Sequence, residues 1–131
     1  MDNTAYGLSR KVDLSFADAE AKVRNTLKER GFGILTEIDV KTTLKEKIGA
    51  EFRPYKILGA CNPGFAHKAL TAETEIGLLM PCNVIVYEDE SGGVHLSAVN
   101  PMQAMGMVDN AQLGAIAGEV TEKLRESIEA V

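Results

Sequence analysis

Only two cysteines occur in the 131 residues, and there is no tryptophan. Two cysteines exclude the disulfide framework on which small secreted domains depend, so each thiol is free to be core or site. Cationic excess is also missing: 14 Lys and Arg stand against 19 Asp and Glu, a net charge of -5. That balance excludes a phosphate backbone, and hence nucleic acid, as partner. No apolar run approaches the roughly 18 residues of a membrane helix, and "MDNTAYGLSR" lacks the basic, apolar and small-residue succession of a secretory signal. The expectation is a cytoplasmic chain with no membrane partner. A Gly-rich phosphate loop, a nucleophile elbow and a His-Glu-x-x-His zinc motif are all absent, so no common catalytic signature names a reaction.

What is present is ordinary globular material, 45% hydrophobic and 25% charged, of a length that builds one core and one domain over residues 1–131. "YGLSRKVDL" reads as a first strand. Ser15 then caps a helix whose apolar residues Phe16, Ala19, Val23 and Leu27 recur at helical spacing, and Gly31 supplies the left-handed stop. "FGILTEIDV" is a second strand, and Thr43 to Glu46 has the capping-box pattern that opens a short helix ended by Gly49. "YKILGACN" is a third, partly buried strand, in which a glycine lets another backbone approach closely. "CNVIVYEDESGGVHLSAV" is a hairpin, with Glu88, Asp89 and Glu90 as its solvated turn. From Asp109 onward Leu113, Ile116, Val120, Leu124, Ile128 and Val131 make one stripe of a long C-terminal helix. The spacing of Gly114 and Gly118 predicts close packing of that helix against a sheet. The order implies an α+β fold, a single sheet with helices on one face. The helix-free face gives the chain a motive for homodimerisation.

Chemistry concentrates at three Asn-containing motifs. In Cys61-Asn62-Pro63 the asparagine is a ready N-cap and the proline suits the first helical position. Asn100-Pro101 repeats the device over "MQAMGM", while Pro81-Cys82-Asn83 opens the hairpin. Cys61, directly before a helix N-terminus, is placed where free amides favour a thiolate and is the more reactive candidate. If Cys61 and Cys82 share one sheet end, they can bond, hold a soft metal or pass sulfur between them; the plainer account is two separate core thiols. The candidate ligand pocket is therefore Cys61, Asn62, Cys82, Asn83 and Asn100. Met80, Met102, Met105 and Met107 add soft sulfur of the kind that suits Cu(I), although methionine among small residues is also gap-filling core. Cysteine and histidine spacings match no familiar zinc site, His67 reads as a solvated helix residue, and His95 as a strand residue on the open face. Neither histidine has an adjacent acid in the sequence. No catalytic residue, cofactor or particular metal is named by these patterns.

The ordered motifs "LGACNPGFAHKAL", "GLLMPCNVIVYED" and "VHLSAVNPMQAMG" resemble family 302 of the domains of unknown function, over nearly the whole chain. The resemblance implies a compact fold of the TATA-binding-protein-like class, a curved and mainly antiparallel sheet with a long C-terminal helix against it. It favours antiparallel order for the first two strands and makes the short helices insertions between strands. It implies no activity, so no catalytic residue is carried over. Three functions follow in order: a module binding a small ligand, a soft metal or a sulfur species; a structural or dimerising domain; and a thiol-dependent redox or sulfur-transfer enzyme.

Overall fold

The computed structural model describes residues 1–131. Six strands, β1 (Asp2–Asn3), β2 (Gly7–Val12), β3 (Gly33–Asp39), β4 (Tyr55–Cys61), β5 (Cys82–Glu88) and β6 (Val94–Val99), form one sheet in the order β1-β2-β6-β5-β4-β3. Every neighbouring pair is antiparallel. The five helices are α1 (Phe16–Glu29), α2 (Val40–Ile48), α3 (Pro63–Ala72), α4 (Pro101–Met105) and α5 (Ala111–Glu129), and a 3₁₀ turn spans Thr74–Leu79. This is the expected α+β fold, a curved antiparallel sheet carrying a long C-terminal helix.

The expected first two strands, β2 and β3, do not pair with each other. β6, β5 and β4 lie between them, and α1 spans that distance beneath the sheet. Alternation along the strands explains which face α1 and α5 cover. Leu8, Leu58, Val84, Val86, Leu96 and Ala98 point to one side and pack with Val23 and Leu27 of α1 and with Val120, Leu124 and Ile128 of α5. A smaller cluster, Ala69, Ile76, Met105, Leu113 and Ala117, ties α3 and α4 to the first half of α5.

Caps set the helix limits. The Ser15 hydroxyl accepts from the Asp18 amide at 3.1 Å. At the other end of α1, Gly31 takes φ 88° while its amide reaches the Lys28 carbonyl and the Phe32 amide the Leu27 carbonyl. These two bonds satisfy the last carbonyls of α1 and turn Phe32 back into the core. α2 begins earlier than the Thr43 pattern implies, because Asp39, the last residue of β3, accepts from the Thr42 amide at 3.0 Å and so starts the helix without a loop. Gly114 and Gly118 also depart from expectation. Gly114 is exposed, and the nearest atom to a side chain at Gly118 is the Met102 sulfur, so these glycines do not face the sheet. The helix instead turns Leu113, Ala117, Val120 and Leu124 inward.

Arg10 fastens the end of α5. Its Nη1 donates to the carbonyls of Ile128, Glu129 and Val131 at 3.2, 2.8 and 2.8 Å, a cation on the negative end of the helix dipole.

Candidate functional site

A cavity lies at the seam between the two apolar clusters. Ala60, Phe32, Cys82 and Val120 bound it from the main cluster, and Ala69, Met80, Met105 and Ile116 from the smaller one. Cys61, Asn62, Phe65, Ala66 and Pro81 complete the lining, and no Asp, Glu, His, Lys or Arg reaches it.

Each thiol is set by a local rule. Cys61 is the last residue of β4, paired with Gly33, and Asn62 follows it as the N-cap of α3. The Asn62 Oδ1 accepts from the Phe65 amide at 3.3 Å, and Pro63 occupies the first helical turn. The Asn62 amide nitrogen lies where a side chain at residue 31 would stand, 2.9 Å from it, so the glycine that ends α1 also admits the cap of α3. Cys82 is the first residue of β5 and sits opposite Ala60, the residue before Cys61. It shares the covered face with Val84 and Val86, as period-2 alternation requires. A cis Met80–Pro81 peptide precedes it, and Pro81 packs over Gly59.

Both thiols are free. Burial, with a smaller contribution from the charge of Cys61, pushes the Cys82 thiol up to about 11. At pH 7 its thiolate population is then on the order of one in ten thousand. Cys82 is therefore a protonated, apolar side chain until something displaces its proton.

Three of the five expected pocket residues, Cys61, Asn62 and Cys82, line the cavity. Asn83 is exposed on the opposite face of the sheet, beside Gly59. Asn100 caps α4 through the Met102 amide at 3.1 Å, outside the cavity. Of the four methionines, Met80 and Met105 line it, whereas Met102 and Met107 are exposed. His67 is exposed on α3, outside the lining.

The open face carries a second polar feature. Across β4, β5, β6 and β2, Tyr55, Tyr87, His95 and Lys11 stand in one row. Tyr87 stacks on His95 with ring centres 4.9 Å apart, and Tyr55 on Tyr87 at 5.5 Å. His95 Nε2 lies 2.7 Å from Asp89 Oδ2, so an acid does partner this histidine across the turn. Asp89 is thus no mere solvated turn residue. Its Oδ1 also accepts from the amides of Ser91 and Gly93. The register sets His95 opposite Tyr87 and Asp89 diagonally across from it on the same face, so the contact follows only once the hairpin is paired.

Comparison with known proteins settles the family. The pattern described as "Domain of unknown function DUF302" matches residues 8–131. The chain belongs to the DUF302 family. Among solved structures, the crystal structure of an uncharacterized conserved DUF302 protein from Bacillus stearothermophilus is similar at a TM-score of 0.90 and 25% identity, covering 97% of this chain and 98% of that one. No curated protein matches. The DUF302 assignment supplies the fold and leaves the chemistry to be argued from the cavity.

Proposed function

We propose that this DUF302 domain is a binding module whose strand-end cavity takes one compact, soft occupant at Cys61 and Cys82. One observation carries the reading: two cysteines and two methionines, drawn from separate parts of the chain, are among the residues that line a single apolar cavity. The space within this partly open cavity is about 30 Å³. Organic ligands occupy sites of roughly 300–1,000 Å³, so the cavity is an order of magnitude too small for them. It suits a single soft metal ion or a single sulfur atom held as a persulfide. A thiol enzyme is less well supported, because a resolving Cys82 would have to react from its protonated form.

Native mass spectrometry of anaerobically purified protein tests the reading. The expected spectrum contains an adduct of one metal ion or one sulfur atom, lost in both Cys61→Ser and Cys82→Ser. An unadorned mass in every preparation, together with no uptake from soft-ion or sulfane-sulfur donors, sinks it.

A separate observation favours a second role, self-association. The uncovered face presents Ile57, Ile85 and Ile38 beside the stacked tyrosines, and Ile38 is 47% exposed. A second copy of the chain is the partner that such a face fits.

A further inference from the structure

We propose that the occupant of this cavity is monovalent copper, bound by the thiolates of Cys61 and Cys82 and supported by the thioethers of Met80 and Met105. The proposal rests on the reading of the cavity as a site for one compact soft species, and it selects among such species. Hard cations require carboxylate and carbonyl oxygens, and none of the lining residues is acidic. Zinc takes four ligands from thiolate, imidazole and carboxylate, and nowhere in the molecule do three His, Cys, Asp or Glu side chains meet as a cluster. What remains is two thiols and two thioethers, since the one other polar lining side chain, Asn62, already has its oxygen engaged by the Phe65 amide. Soft thiolate and thioether ligands select Cu(I), zinc and iron–sulfur clusters; with only two thiolates in the lining, too few for a structural zinc site or a cluster, Cu(I) is the member of that group the cavity suits.

Two further observations agree. Met102 and Met107 are 47% and 75% exposed, while Met105, between them in sequence, is buried against the cavity. The stretch Met102 to Met107 therefore offers thioethers both at the surface and inside. The second concerns charge. Copper on two thiolates leaves one net negative charge, and the amides at the start of the ten-residue helix α3, which follow Cys61 and Asn62, supply positive potential beside it. Loading breaks two S–H bonds, releases two protons and forms two Cu–S thiolate bonds. Copper remains Cu(I), so no oxidant or reductant enters.

The test is an anaerobic titration of the full chain with Cu(I) against a competing copper chelator, with proton release followed in weak buffer. The expected result is one Cu(I) per chain, two protons released and an X-ray absorption spectrum containing sulfur scatterers only. Cys61→Ser and Cys82→Ser should each weaken binding by at least about 100-fold, the upper end of what even outer-shell partners cost. Met80→Leu and Met105→Leu conserve volume and hence folding, and each should weaken it by roughly tenfold. His67→Ala should leave the affinity unchanged. Absence of Cu(I) binding, nitrogen or oxygen scatterers, or unaltered affinity in both leucine variants would overturn the proposal. If Cu(I) does not bind but the purified chain carries a sulfur atom removable by Cys61→Ser, copper is wrong and the cavity reading stands. If neither species is found, both fall.

Discussion

Asp89 shows how a single carboxylate can be committed within a turn. The hydrogen bond with His95 and those from the amides of Gly93 and Ser91 favour its ionised form and bring its carboxyl down to about 2, against an ordinary value of 3.8. A carboxyl whose pKa is lowered by folding binds its proton more readily when unfolded, so protonation favours the unfolded chain. The contribution of Asp89 to stability is therefore complete above about pH 4 and is lost as the pH falls through about 2. Urea unfolding of wild type and Asp89→Asn across this range should show a constant gap near neutrality that closes on acidification. A gap unchanged by pH would show that ionisation of Asp89 contributes nothing. No local sequence signal marks this pair, because Asp89 and His95 are six residues apart and meet only once the hairpin register is fixed.

At the level of elements, Gly59 connects the sheet to the cavity. A methyl group at this position would overlap Thr36 Oγ1 and lie 2.8 Å from Pro81 Cγ. Glycine in β4 thus lets Pro81 lie flat on the strand immediately before Cys82. Gly59→Ala should cost about 1–3 kcal/mol, as overpacking does, and should also disturb the site. Chemical denaturation gives the first quantity and the loss of Cys82's protection from alkylation gives the second. A variant as stable as wild type and equally protected would show that Pro81 has room to shift. The close approach at this glycine was legible in the sequence, although its partner is a side chain and a proline ring rather than another backbone. N-caps at Asn62 and Asn100 were legible for the same reason, since each bond spans two or three residues. Strand order was not, because it depends on which apolar faces α1 and α5 can cover together. The two-residue strand β1 carries too little pattern to be read. Likewise, the Thr43 box lost to Asp39 because two competent caps four residues apart differ only in where the strand ends. Within the site, Cys61, Asn62 and Cys82 were legible as strand-end neighbours. Phe32, Met80 and Met105 join them through the packing of the two clusters, which no spacing rule encodes.

For the whole molecule, the asymmetry of the sheet is the decisive feature. One face buries the main core against α1 and α5, and the other presents isoleucines and stacked aromatic rings. Five strands about 4.8 Å apart, each rising roughly 20 Å over six residues, give this face an area on the order of 500 Å². Two such faces packed together bury about 1,000 Å², the lower limit for a specific interface, so any dimer is weak and concentration-dependent. Charge sharpens the expectation. Each chain carries -5, while the centre of the face is built from Ile57, Ile85, Ser97 and Ser9, so repulsion acts between whole molecules rather than across the contact. Added salt screens that repulsion and should strengthen association, opposite to its effect on a complex held by ion pairs. Sedimentation velocity at rising protein concentration, in low and moderate salt, should show the average mass climbing from one chain toward two, and climbing sooner in salt. Ile85→Lys should abolish the climb, while Ile85→Thr, which keeps a β-branched residue in the strand, should only weaken it. Monomeric wild type throughout would remove self-association from this face. A dimer that persists unchanged in Ile85→Lys would place the contact elsewhere.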